Sequence, residues 1–227
     1  QAIERIKPVV KSGTIILTLQ NGIENFRKLE AAFGDCVLQG ICQIGTGIKE
    51  PGVILHSSLG HIVLGELSGS VSTRIDAISK ILSQASISFK ISNKIKREVW
   101  LKFGWNTVFN GLTAVLGVTV DALFSTPDSE NLIYKLFDEV KQTAAAEGVQ
   151  FDDSDIEKMI AESRKLTNFV TSTLRDRRQG KPMEYDGLTG ALLRTAKLHA
   201  IELPAFSILH SMLHIADQSN SHNPSRP

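Results

Sequence analysis

Along the first ninety residues the spacing of apolar positions switches repeatedly between helix and strand. Ala2, Ile3, Ile6, Val9 and Val10 recur at helical spacing and predict a helix over residues 2–11, with Pro8 inside it and Gly13 as its stop. Residues 14–19 form a nearly unbroken apolar run, as in a strand of a buried parallel sheet. Gln20-Asn21-Gly22 makes a turn, and Ile23, Phe26, Leu29 and Phe33 return to helical spacing before Gly34. Residues 36–44 read as a strand, and Gly45, Gly47, Pro51 and Gly52 as a loop. Residues 53–56 and 61–64 read as two strands joined around 57–60. Ser72 is placed to cap a helix over 73–85, and 87–91 is a last short strand. Alternating strands and helices argue for an α/β unit with at least partly parallel pairing.

From Lys94 onward the period is helical throughout. One long apolar helix is expected over 94–116. A second starts at Thr126, with Pro127 in its first turn and Asp128 and Glu130 at its positive end, and stops at Gly148. A third is expected from Asp152 to about residue 178, followed by a break at Gly180-Lys181-Pro182. Two more cover 188–200 and 204–216. The polar, proline-bearing stretch 219–227 is expected to be disordered. The layout is thus a partial α/β domain over 1–93, an all-α helical domain over 94–218 and a tail over 219–227.

Composition narrows the function classes. A net charge of +1 creates no field that would draw the chain to nucleic acid or to an anionic membrane. The longest apolar region, 99–124, is interrupted by Lys102, Asn106, Asn110 and Asp121, so a buried core helix is expected rather than a membrane span. Cys36 and Cys42 lie in an apolar stretch and read as small buried hydrophobes; no metal-ligand spacing is present, and a cytoplasmic, reducing compartment fits. The chain opens on Gln1 in what reads as mid-helix with no preceding cap, which points to a larger protein whose beginning lies upstream.

The most informative segment is 99–110. Lys102, Asn106 and Asn110 fall at i, i+4 and i+8, a stripe about 12 Å long on one helix face. Around them stand Trp100, Phe103, Trp105, Val108 and Phe109, and Lys102 is the only charged residue from 99 to 120. A solvent face would carry more charge, and asparagine is a mediocre helix former. The stripe therefore reads as the lining of a cleft for a small, oxygen-rich ligand. Lysine supplies a cation and a proton, and the amides supply donors and acceptors for carbonyl, carboxylate or hydroxyl groups. A second cluster, Ser172, Asp176, Glu184 and Asp186, flanks the break at Pro182. Each of these acids also reads simply as a surface carboxylate, and Asn21 as a good turn residue.

Leu19-Gln-Asn-Gly22 after a strand, Trp100-x-Lys102-x-x-x-Asn106-x-x-x-Asn110, Ser172-Thr-Leu-x-Asp176 and Glu184-Tyr-Asp-x-Leu-x-Gly190 together resemble the ketopantoate reductase (2-dehydropantoate 2-reductase) family in order and spacing, from residue 1 to about 215. The resemblance implies a partial Rossmann-type domain followed by a helical domain, with the active site in a cleft between them. It implies reduction of 2-dehydropantoate to pantoate by NADPH, in pantothenate and coenzyme A synthesis. Lys102 would be the general acid and Glu184 a glutamate that orients substrate or lysine. Asn106, Asn110 and Ser172 would bind substrate, and Asn21 would lie near the nicotinamide. A homodimer is within the family's range.

No G-x-G-x-x-G turn occurs in these residues; Gly45-Thr46-Gly47 is followed by Ile-Lys-Glu-Pro rather than a helix. The family's nucleotide-binding front is therefore expected before Gln1. Two alternatives stay open: a related 2-oxo or 3-hydroxy acid reductase of the same superfamily, and a non-catalytic helical binding or dimerisation module left by truncation.

Overall fold

A computed structural model describes residues 2–221. The chain divides into two compact units, one up to Val99 and one from Trp100 onward.

The first unit is a four-stranded sheet in the order β1 (Ile16–Thr18), β2 (Val37–Glu50), β3 (Val53–Gly65), β4 (Ser88–Ile91). β1 and β2 pair in parallel, as do β3 and β4, while β2 and β3 pair antiparallel. Neighbouring residues of a strand face opposite sides, and β2 uses both. Leu38 joins Ile62, Leu64, Ile75 and Leu82 in one cluster, under helix α3 (Thr73–Gln84). Val37 joins Phe26 and Leu29 of helix α2 (Glu24–Phe33) in another, against which Ile3 and Ile6 of α1 (Ala2–Ile6) also pack. Helices thus cover both faces of a mixed sheet, the arrangement of a partial Rossmann-type domain. Just beyond β3, buried Glu66 accepts from Ser72 Oγ (2.5 Å) and from Arg74 Nε (2.7 Å) and Nη2 (2.5 Å), fastening the strand end to the start of α3. Ser72 also caps that helix, accepting from Ile75 N.

Three expectations for this unit are corrected. The helix expected over 2–11 ends at Ile6 and becomes a 3₁₀ turn over Lys7–Val9, because Pro8 offers no N–H to continue it. The loop expected at 45–52 is strand: β2 runs to Glu50, and only Pro51-Gly52 turns. The two strands expected at 53–56 and 61–64 are one, in which Leu59 and Gly60 adopt positive φ (58° and 123°). Register shifts between Gln43 and Ile44, Gly45 and Thr46, and Ile48 and Glu50 show what the glycines mark: bulges in a long hairpin, not its end.

The second unit is built around a buried rod. It starts with α4 (Ile95–Trp105), inside which the division between units falls. It continues through a π turn (Asn106–Asn110) into α5 (Gly111–Leu116), and ends at left-handed Gly117. Phe109 is fully buried against Trp105, Phe124 and Phe137, with ring centroids 5.1–6.0 Å apart. Around it stand α6 (Pro127–Ala146), capped by Thr126, α7 (Asp153–Arg164), α8 (Ser172–Arg178), α9 (Ala191–Leu198) and α10 (Pro204–Ser221). A Cβ on Gly111 would lie 2.9 Å from Leu209 Cδ2, so its bare backbone is what lets α10 approach the rod. Four buried threonines (Thr107, Thr113, Thr143, Thr195) donate to the carbonyl one turn back, at 2.6–2.9 Å, so their burial leaves no donor unmet.

Here too the structure departs from expectation. The helix expected from Asp152 to 178 is two helices. Asn168 between them is left-handed (φ 52°), and Thr171 turns its hydroxyl to Leu174 N as the cap of α8. The helix expected from 188 begins with a second π turn (Asp186–Gly190). α10 extends through Ser221, so the start of the expected disordered tail is helical, and residues 222–227 lie outside the described residues. Among the described residues no helix is long and apolar enough to cross a membrane.

The first two amides of α10 to be buried find their acceptor on another helix: Glu139 of α6 receives Ala205 N (2.8 Å) and Phe206 N (2.9 Å). Glu139→Ala should cost about 1–3 kcal/mol by stranding these donors. Urea unfolding checks this; an unchanged midpoint would show that water replaces the carboxylate.

Candidate active site

The rod carries the polar stripe, but not as a uniform one. Lys102 and Asn106 are half-buried, whereas Asn110 is 4% exposed. The reason is the π turn. Bonds of the i→i+5 type fit an extra residue into the turn and rotate the next stretch of helix out of phase, so the regular i, i+4, i+8 stripe expected from an α-helix is broken between Asn106 and Asn110. Burying an amide requires a partner, and Asn110 Nδ2 donates to Ser172 Oγ at 3.3 Å. Two residues 62 positions apart are thereby brought together.

Several bonds hold Ser172 in place. Thr171 and Thr113 share a hydrogen bond of 2.8 Å between buried hydroxyls. Arg177 Nη1 donates to the carbonyls of Ala114 and Val115, the latter at 2.8 Å, and Arg178 reaches Gly117 O at 3.2 Å. These carbonyls end α5, where a helix leaves acceptors unmet and where cations are favoured. Helix α8 is therefore laid along the end of the rod with its first residue, exposed Ser172, beside Asn110.

Glu184 is exposed, in the connection before the second π turn, and makes no ion pair among the described residues. Asn21 belongs to the other unit. It stands in the turn that leaves parallel strand β1, its carbonyl accepts from Asn25 Nδ2 (2.9 Å), and Gly22 comes next at φ 86°. Asp186 is exposed and pairs with Arg194 at 2.9 Å, a surface arrangement. Among the described residues no group of three or more His, Cys, Asp or Glu is placed to hold a metal ion.

The two π turns touch, and a narrow crevice between them is lined by Thr107, Asn110, Gly111, Tyr185, Leu188 and Thr189. Sequence reasoning passed over Tyr185, Thr189, His210 and His214. Tyr185 Oη meets His214 Nδ1 at 2.6 Å, and Thr189 Oγ1 meets His210 Nδ1 at 2.8 Å. The only signal in the sequence was the pair of histidines four apart on α10.

The family described as ketopantoate reductase PanE/ApbA, C terminal, matches residues 94–217, and its companion, ketopantoate reductase PanE/ApbA, matches residues 1–69. The chain belongs to the ketopantoate reductase family. The 2-dehydropantoate 2-reductase of Nostoc sp. (strain PCC 7120) is 28% identical over 221 residues, covering 95% of this chain and 69% of that protein. The crystal structure of 2-dehydropantoate 2-reductase from Geobacter metallireducens superposes with a TM-score of 0.87 at 30% identity, over 95% of this chain and 74% of that one. A D-mandelate dehydrogenase solved with NADH shares the fold (TM-score 0.87, 21% identity, 96% of this chain and 75% of that one).

Burial holds the Asp176 carboxyl above its ordinary range, opposed by the charges of Lys181 and Arg175. A carboxyl raised in the folded state binds its proton more tightly there. Its contribution to stability is complete below the unfolded value of about 3.9 and is lost as pH rises through the raised one. Asp176→Asn should therefore gain stability relative to the parent as pH goes from about 3.5 to about 7. Paired thermal melts across that range test it, and a pH-independent difference would contradict it.

Proposed function

We propose that this chain carries the substrate-binding and proton-donating residues of an NADPH-dependent reductase that converts 2-dehydropantoate to pantoate, serving pantothenate and coenzyme A synthesis. The observation that carries the reading is the buried Asn110 amide at the end of a widened helical turn, held against Ser172 at 3.3 Å. A π turn in a buried helix is a common functional device, and here it lies on the same rod as the single cation between 99 and 120.

In this reading Asn106, Asn110 and Ser172 hold the carboxylate and hydroxyl oxygens of the oxo acid. The Lys102 ammonium lies against the ketone oxygen, offsets the negative charge that develops there and donates its proton to that oxygen. Glu184 orients the substrate or the lysine. A bound nicotinamide supplies the hydride to the ketone carbon. Residues of this chain fit the nicotinamide end of such a cofactor: Asn21 stands at the carboxyl end of a parallel strand, where α/β sheets take ligands, in a turn whose Gly22 has no Cβ. No G-x-G-x-x-G cradle for the pyrophosphate is among the 227 residues, so no role is assigned to them there.

Lys102→Ala in the full-length protein should lower turnover with ketopantoate by about 10²–10⁴-fold while the fold survives. Unchanged turnover would remove Lys102 as the acid. A second reading, a reductase of another 2-oxo acid, is favoured by the fold shared with D-mandelate dehydrogenase. Assaying ketopantoate and an aromatic 2-oxo acid, each with NADPH and NADH, separates the two. Turnover of the aromatic acid alone would replace the substrate proposed here.

A further inference from the structure

Glu184 lies in a connection that has no helix or strand of its own over residues 181–183, yet its neighbours are fixed. Met183 N donates to Asp217 Oδ1 at 2.8 Å, and the Met183 side chain is buried. Tyr185 Oη bonds His214 Nδ1 at 2.6 Å, and its ring packs on His210 and His214 with centroids 5.3 and 6.1 Å away. Thr189 Oγ1 bonds His210 Nδ1 at 2.8 Å.

The partners on α10 are residues 210, 214 and 217, a single stripe of that helix at i, i+4 and i+7. They meet 189, 185 and 183 in reverse order, like the teeth of a zip. Glu184 sits between two fastened residues with its carboxylate exposed. The protonation states suit the bonds. Burial, with Asp217 and Asp186 nearby, pushes the Tyr185 phenol up, so it keeps its proton as a donor. Burial pushes His210 down, and Thr189 gives its own hydroxyl proton to Tyr185 O (3.0 Å), so the neutral His210 ring donates from Nδ1 to Thr189.

We propose that Tyr185, backed by His214 and Asp217 of α10, is a positioning residue that holds the Glu184 carboxylate in place for the oxo acid. This rests on the assignment of Glu184 made above. An ordinary packing contact could have been apolar. Two histidines and an aspartate on one stripe, each bonded to a successive part of the Glu184 segment, instead fix its direction as well as its distance.

The test is a double-mutant cycle with Tyr185→Phe and Glu184→Gln in the full-length protein. Tyr185→Phe keeps the ring and loses only the bond to His214. It should lower kcat/KM on the order of tenfold, and should have no further effect once Glu184→Gln is present. Asp217→Ala should act in the same way, and Asp217→Asn, which keeps the acceptor for Met183 N, should restore the rate. The same loss in both backgrounds, or a lowered melting temperature with kcat/KM unchanged, would overturn the proposal. Amide exchange over residues 183–190, which needs no substrate, should quicken in Tyr185→Phe and only there; unchanged exchange would also overturn it. Absence of turnover of any 2-oxo acid by the parent protein would instead sink the proposed activity, leaving the exchange measurement to judge the clamp.

Discussion

A helix through the middle of a folded unit can bury polar groups only if each finds a partner, and the rod from Ile95 to Leu116 meets that condition in two ways. Its threonines return their hydroxyls to the rod's own carbonyls, which costs little. Asn110 cannot do this. Its amide, turned inward by the π turn, must be met from outside, and Ser172 at the start of α8 meets it. The position of α8, the bond between Thr171 and Thr113, and the grip of Arg177 and Arg178 on the last carbonyls of the rod all serve to keep that partner present. A buried polar network of this sort is strong when complete and costly when broken, so it marks a place where stability has been committed to placing particular atoms.

The same logic governs the rod's contact with α10. Helix α10 comes close because Gly111 has no side chain to hold it off, and its first buried amides are accepted by Glu139. Once in place, it offers His210, His214 and Asp217 to the segment that contains Glu184. The candidate site is thus framed by helices whose own polar ends are satisfied by neighbours, and its exposed groups, Ser172 and Glu184, stand on backbone that is tied down beside them.

Much of this was legible in the sequence, and the remainder was hidden for physical reasons. Helix starts at Ser72 and Thr126 are signalled by capping hydroxyls, and both are observed. The stripe of Lys102, Asn106 and Asn110 stood out because so little else on the rod is polar. Its break did not, because the residues from Thr107 to Leu112 are buried all round the helix, so a change of phase leaves no gap in the apolar pattern. The glycines at 45, 47 and 60 were read as loop because the same residue serves turns and bulges; only the partner strand tells them apart. Asn168 separates two helices by its left-handed backbone and Thr171 starts the second with its hydroxyl, local geometry that a helical apolar pattern on both sides conceals. The Tyr185 cluster joins positions up to 34 residues apart on separate elements, information that no local spacing carries.

The central claim is that the rod's polar stripe and Ser172 together receive a 2-oxo acid. Titration of the isotopically labelled protein with ketopantoate, tracking the side-chain amide resonances of Asn106 and Asn110, tests it most directly. The account predicts saturable shifts of both at a single affinity, with Asn110 losing its shift in Ser172→Ala. Saturable binding that leaves both amides unmoved would contradict it.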